Sequence, residues 1–388
     1  MSSKVGIIGV GMTKFGELWD RRYRDLIVDA GVDAIKDAGI EGNQIGGMYV
    51  GSMSPGLFAE QEHVSALVAD YSGLAGIPAT RVEAACASGG VALREAYLAV
   101  KSGEMDIVVA GGVEKMTDVP TGSAAVALMG AGDQEWEAFK GATFPSLYAL
   151  MARRHMVEYG TTIEQISQVA VKSHDNASLN ENAHYGFKVT LEQVMNSSMV
   201  ADPLRILHCS GITDGAATVI LASEEKAKEL VDDPVWIKAS ALATDTIALH
   251  DRKSLSKTEA TVLAARKAYK DAEIKPEDVD FAEVHDAFSI AEILAIEALD
   301  FCDFGEGGKL TQQGETALKG RIPINPSGGL KGKGHPVGAT GIAQAIEAVL
   351  QIRGKAGDRQ VKGAETGLIH NVGGSGATCV IHILSMEK

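Results

Sequence analysis

Cysteine is scarce in this chain. Its 388 residues include four, Cys86, Cys209, Cys302 and Cys379, far apart and without a CxxC pair. That spacing excludes a disulfide framework and a cysteine-rich zinc module, and no metal is expected. The remaining question is whether one thiol is reactive. Aromatic residues make up only 5% of the chain, while glycines number 44. Small residues let helices sit close on sheets, which favours a layered α/β design over a β-sandwich. Basic residues are outnumbered, 36 Lys and Arg against 51 Asp and Glu, for a net charge of −15. A nucleic-acid partner is excluded, because a phosphate backbone needs a basic surface. No apolar run is long enough to cross a bilayer. The opening MSSKVGIIGVGM reads as a strand rather than a secretory signal, so a cytoplasmic protein is expected.

What the chain has is strand–helix alternation. Residues 5–10 read as a buried strand, 25–38 as a helix, 48–50 as a strand, 86–100 as a helix and 106–113 as a buried strand. Residues 118–201 lose this rhythm and read as an inserted segment, with a lid as its expected role and one amphipathic helix in PSLYALMARRHMVEYG. From residue 233 the alternation resumes: helix 258–272, strand 281–284, helix 287–299, helix 341–352 and two final strands around Leu368 and 378–384. The halves echo one another. AIKDAGI at 34–40 resembles AYKDAEI at 268–274, an offset of 268 − 34 = 234, and the same offset pairs Ile45 with Val279 and Val50 with Val284. This points to a duplicated helix–turn–strand unit, and α/β folds bind ligands where such strand ends and helix starts converge.

Four places carry chemistry-bearing residues. Cys86 stands in VEAACASGG, at the start of a small-residue helix. Unpaired N–H groups and the helix dipole there favour a thiolate, the nucleophilic form. The other reading is a small buried core cysteine. His335 stands in NPSGGLKGKGHPVGATG, a glycine loop before a helix. It is either a proton acceptor or a loop histidine bonded to a backbone carbonyl. His285, in FAEVHDAF, ends a strand and either donates to an oxyanion or plays a structural part, with Asp286 as a helix cap. His370 and Asn371 precede the GGSG turn that contains Gly374. That turn either presents N–H groups to an acyl oxygen or is a plain hairpin. GVG at Gly9 to Gly11 lacks GxGxxG spacing, so a dinucleotide fold is set aside.

Taken in order, ACASGG, SGITDGAA, HDAF, NPSGG…GHPVGATG and HNVGGSG resemble the thiolase superfamily over nearly the whole chain. HDAF, where other branches carry NEAF, resembles the sterol-carrier-protein-type branch and its archaeal relatives. The resemblance implies a five-layered α/β/α/β/α fold of two similar halves. An N-terminal half would take 1–117 and 202–232, an inserted loop domain 118–201, and a C-terminal half 233–388. It implies an acyltransferase in which Cys86 carries the acyl group, His335 activates it, and His285 stands in the oxyanion hole. Neither cysteine that other branches use as the second acid/base is present, since His370 and Ala287 occupy those places. His335 is then expected to serve both half-reactions, assisted by His285 or His370.

The implied reaction joins two acetyl-CoA into acetoacetyl-CoA, or reverses it, with no cofactor besides the coenzyme A thioesters. It would feed mevalonate synthesis. The implied partners are a second copy, in a dimer or tetramer, and hydroxymethylglutaryl-CoA synthase with a zinc-ribbon/OB-fold scaffold protein. Polyanionic coenzyme A would need a local basic patch inside an acidic whole. Lys331 and Lys333 are the expected contacts, with Arg252, Lys253 and Lys257 as further candidates. The competing readings are a thiolase for longer 3-oxoacyl chains and a non-catalytic scaffold that kept the fold.

Overall fold

The computed structural model describes residues 4–386. Nine strands form one mixed sheet: β1 (Val5–Met12), β2 (Gly47–Gly51), β3 (Ala79–Val82), β4 (Ile107–Glu114), β7 (Gly215–Ser223), β8 (Val235–Thr244), β9 (Phe281–Glu283), β10 (Thr366–Gly373) and β11 (Thr378–Ser385). β5 (Met199–Ala201) and β6 (Leu204–Arg205) form a separate small hairpin. The order β3-β2-β4-β7-β1-β8-β11-β10-β9 reads the same from either end once the halves are matched. In each half the first strand pairs antiparallel with the last, the last pairs antiparallel with the next, and the outer strands run parallel. Ile324, bridged in parallel to Ala282, supplies the place that β3 fills in the first half. The repeat in the sequence is thus a repeat in topology.

The half-sheets join where Gly6 and Ile7 of β1 meet Trp236 and Val235 of β8. Two helices, Ser88–Lys101 and Thr340–Ile352, touch strands of both halves and lie between them. Tyr23–Ala38 covers β1 and β7 from outside, and Glu259–Ala272 covers β8 and β11, which completes five layers. The Thr340 helix is buried along almost its whole length, as a helix in the central layer must be. The two central helices meet at glycine: a Cβ on Gly341 would lie 2.2 Å from the Gly90 nitrogen. No larger residue fits that crossing. Strands β4 and β7 are buried on both faces, which explains their uninterrupted apolar runs.

Several elements depart from expectation. The helix expected from residue 86 begins at Ser88, so Cys86 lies in the turn before it. The helix expected from 287 begins at Ser289, because Phe288 is extended and bridged to Cys209. Strand patterning in the sequence does not anticipate β7 and β8. Between β4 and β7 run the helices Thr121–Met129, Phe144–Tyr159, Ile163–Ala177 and Leu191–Asn196, followed by the β5–β6 hairpin. No helix among the described residues is long and apolar enough to cross a membrane.

Candidate active site

The turn after β3 builds the first part of the site. Ala85 is held at φ 53, a left-handed conformation that costs a residue with a Cβ. Ala87 N donates to the Ala84 carbonyl at 3.0 Å. The Ser88 hydroxyl accepts from Ala84 N at 2.9 Å and donates to the Ala85 carbonyl at 2.6 Å. These bonds hold the strained turn and present Cys86 at the mouth of the Ser88 helix. The backbone N–H groups of Gly374 and of Cys86 itself point at the thiol. Gly374 adopts φ +62, and its carbonyl accepts from the Tyr148 hydroxyl at 3.1 Å. The GGSG turn thus brings a backbone N–H to the Cys86 thiol.

His285, His335 and Cys86 converge: one ring nitrogen of each histidine and the thiol sulfur lie within 4.8 Å of one another. The two rings meet edge to face at 5.0 Å. Their hydrogen bonds fix which nitrogen is protonated. The Thr340 hydroxyl donates to the Pro336 carbonyl at 3.0 Å, so it accepts from His335 Nδ1–H at 2.7 Å. That leaves His335 Nε2 as an unprotonated acceptor. Asn371 Oδ1 accepts from Gly90 N at 3.1 Å, and Asn371 Nδ2 donates both to the Cys86 carbonyl at 3.1 Å and to His285 Nδ1 at 3.2 Å. His285 must then carry its proton on Nε2. One histidine offers a lone pair and its neighbour offers a proton.

Burial governs the charges here. It pushes the Cys86 thiol up to about 12, against the pull of the Gly374 N–H and with a further push from buried Glu114. The thiolate expected from a helix start is overruled, because Cys86 lies outside the helix and loses more hydration than the N–H groups return. Burial brings His335 down to about 3 and His285 well below its ordinary value, with repulsion from His335 and His370 adding to the latter. The resting site is a neutral thiol beside two neutral imidazoles. A thiol in this state becomes nucleophilic only as a neighbouring base takes its proton.

His370 and the two lysines stand elsewhere. His370 Nδ1 accepts from His285 N at 3.3 Å and its Nε2 meets the Thr261 hydroxyl at 3.0 Å. Both ring nitrogens are engaged behind His285, so the assisting acid/base role expected for His370 is not supported by contact. Lys333 is 2% exposed and paired with Glu283 at 3.5 Å. Lys331 is 4% exposed, with its ammonium 3.4 Å from His174 Nε2 and over the Tyr185 ring. Neither is placed to hold coenzyme A phosphates. A lysine between glycines folds inward here because buried Glu283 supplies the counter-charge and Tyr185 the π-face. Arg252 also turns inward, donating to the Ser375 carbonyl at 2.5 Å and bracing the glycine turn. Cys379 lies in the core of the second half.

A cavity of about 410 Å³ opens over the three converging residues. Met116, Leu128, Phe144, Tyr148 and Phe288 make its walls largely apolar, and Ser210 and Cys209 also line it. Among the described residues, none of its lining groups is a lysine or arginine. Sequence reasoning gave no role to Asn371, Glu114 or Cys209. Asn371 sits beside a more conspicuous histidine. Glu114 closes β4, where a buried carboxyl accepts from Met53 N, Ser54 N and the Ser52 hydroxyl. Burial raises it to about 7.

The chain matches two family descriptions, "Thiolase, N-terminal domain" over residues 5–225 and "Thiolase C-terminal domain-like" over residues 241–386. It is 61% identical over 381 residues to the acetyl-CoA acetyltransferase of Methanothermobacter thermautotrophicus, covering 98% of this chain and 99% of that one. Sterol carrier protein 2 of Bos taurus is 34% identical over 98% of this chain and 72% of its own length. Among solved structures, the Ltp2-ChsH2(DUF35) aldolase superposes with a TM-score of 0.87 at 26% identity, covering 99% of this chain and 98% of that one.

Proposed function

This chain belongs to the thiolase family and is an acyltransferase, and on that premise we propose that it interconverts two acetyl-CoA with acetoacetyl-CoA and coenzyme A. The observation that carries this is the meeting of Cys86, His335 and His285 within 4.8 Å under one cavity. In the first half-reaction the Cys86 sulfur attacks the thioester carbonyl as its proton passes to His335 Nε2. The N–H groups of Gly374 and Cys86 receive the developing oxyanion, and the departing thiolate regains the proton from His335. In the second, the thioester oxygen of another acetyl-CoA accepts from His285 Nε2–H. His335 takes a proton from the methyl carbon, the enolate attacks acetyl-Cys86, and the departing Cys86 sulfur takes that proton back from His335.

The acetyltransferase named in Methanothermobacter thermautotrophicus supports the short acyl group. The largely apolar cavity favours a second reading, a longer 3-oxoacyl substrate. On either reading residues 118–201 form an inserted loop domain over the site. We extend the proposal to a homodimer or tetramer, to supply of mevalonate synthesis, and to association with hydroxymethylglutaryl-CoA synthase and a zinc-ribbon/OB-fold scaffold. Condensation is uphill, so a partner that consumes the product would draw it forward. The solved relative carries a two-component name, Ltp2-ChsH2(DUF35), which supports looking for such a partner.

The test is thiolysis of 3-oxoacyl-CoA of increasing chain length, wild type beside Cys86→Ala. Acetoacetyl-CoA is expected to be cleaved fastest and the variant to form no acetyl-enzyme. A preference for longer chains would transfer the proposal to the second reading. Absence of acylation at Cys86 in the wild type would overturn both.

A further inference from the structure

Cys86, His285 and His335 form a donor set that zinc readily takes, one thiol and two imidazoles within 4.8 Å in a buried pocket with a side open to the cavity. Such a site would lose its nucleophile and its base to one ion. A metal ligand needs a lone pair, so the question is which ring nitrogens offer one. At each ring Nδ1 is engaged from behind, His335 by Thr340 and His285 by Asn371, which leaves Nε2 to face the thiol.

We propose that Asn371 is a positioning residue that locks His285 in its Nε2–H form, and that this lock both maintains the oxyanion donor and keeps the thiol–imidazole cluster from closing on a divalent metal. Asn371 is fully buried and its amide cannot be turned over, because Gly90 N–H requires an acceptor and the Cys86 carbonyl requires a donor. The second proton of Nδ2 then has one place to go, His285 Nδ1 at 3.2 Å. Gly90 and the Cys86 carbonyl belong to the nucleophile's own turn and helix, so the same side chain sets the register between thiol and imidazole. The inference deepens the proposed role of His285 and rests on that reading for its catalytic part. Its tautomer and metal parts stand on the hydrogen bonds alone.

Replacing Asn371 by aspartate keeps the shape and reverses the sign of the contact. The carboxylate would accept from His285 Nδ1–H and bare Nε2, the carboxylate–histidine arrangement that supports zinc ligation. Two measurements test this. The first is read on the wild type: nitrogen NMR of 15N-histidine-labelled protein, with the His285 signals assigned by their loss in His285→Gln. A protonated Nε2 and bare Nδ1 between pH 6 and 8 are expected; a protonated Nδ1 overturns the lock. The second is zinc binding by competition with a chromophoric chelator, wild type beside Asn371→Asp. The variant is expected to bind one zinc at least about tenfold more tightly, and to lose it when Cys86→Ser is added. Equal affinity in wild type and folded variant overturns the metal part. Catalysis gives a separate readout: kcat of the zinc-free variant is expected to fall about 10²-fold with KM little changed. If the tautomer and zinc results hold while wild type lacks thiolase activity, the proposed function fails and the lock remains.

Discussion

Gly39 and Glu273 occupy the same station in the two halves, 273 − 39 = 234 residues apart, and both close a helix in the left-handed conformation, at φ 64 and φ 57. The 3₁₀ turns that follow, Gly42–Gln44 and Pro276–Asp278, keep the same offset, as do the starts of β2 and β9. Backbone geometry has been retained where side chains diverged. A left-handed residue with a Cβ carries a steric penalty that glycine escapes, and glycine is favoured just past a helix end. Glu273→Gly is therefore expected to stabilise the protein by about 0.5 kcal/mol once glycine's greater unfolded-state freedom is subtracted. A urea midpoint above that of wild type, with unchanged slope, would bear this out; a lower midpoint would show that Glu273 makes a compensating contact.

The neutral resting pair gives catalysis a distinctive pH signature. Burial leaves Cys86 near 12 and His335 near 3, so neither changes charge between pH 6 and 9. Acylation of the wild-type enzyme by acetyl-CoA is expected to be nearly flat over that range, because His335 removes the proton inside the complex. In His335→Ala that route is gone and solvent hydroxide must ionise the thiol. Its acylation should be slower by about 10²–10⁴ and rise about tenfold per pH unit, as the thiolate fraction does. Single-turnover mass measurement of the acetyl-enzyme reads both profiles. A wild-type step near pH 7 would mean a thiolate–imidazolium pair and would sink the neutral-pair account.

The parts of this architecture legible in the sequence were those written in local pattern. The offset repeat disclosed two halves because helix end, turn and strand are contiguous stretches. Cys86, His285 and His335 stood out because each interrupts a glycine-rich or strand-to-helix junction, and the fold brings all three together. The failures share a physical cause. Lys331 and Lys333 look like anion ligands in the sequence. In the fold Glu283, 50 residues upstream of Lys333, supplies its counter-charge, and the Tyr185 ring lies beneath Lys331. Cys86 looks like a thiolate because a helix start is visible in sequence and desolvation is not. The role of Asn371 could not be read: its partners Gly90 and the Cys86 carbonyl are 281 and 285 residues away, and only the folded chain brings them within reach.

Acid should unfold this protein early, and the sign can be worked out from its buried histidines. Burial is the leading cause that depresses His174, His184, His208, His285, His335, His370 and His382 below their ordinary range. Each binds a proton less readily in the folded protein than in the unfolded chain, so each draws the equilibrium toward unfolding as pH falls below about 6.5. Four carboxyls oppose them. Burial raises Glu114 and Asp286 to about 7 and also raises Glu292 and Glu347, so the folded protein takes up those protons first. Seven groups against four leaves the unfolded chain binding more protons, and stability should decline from about pH 6.5 toward about pH 4. Urea midpoints across that range measure it. A His382→Gln variant, which removes one histidine outside the catalytic cluster, should flatten the decline; a wild-type midpoint that is constant or rises on acidification would mean that the buried carboxyls prevail.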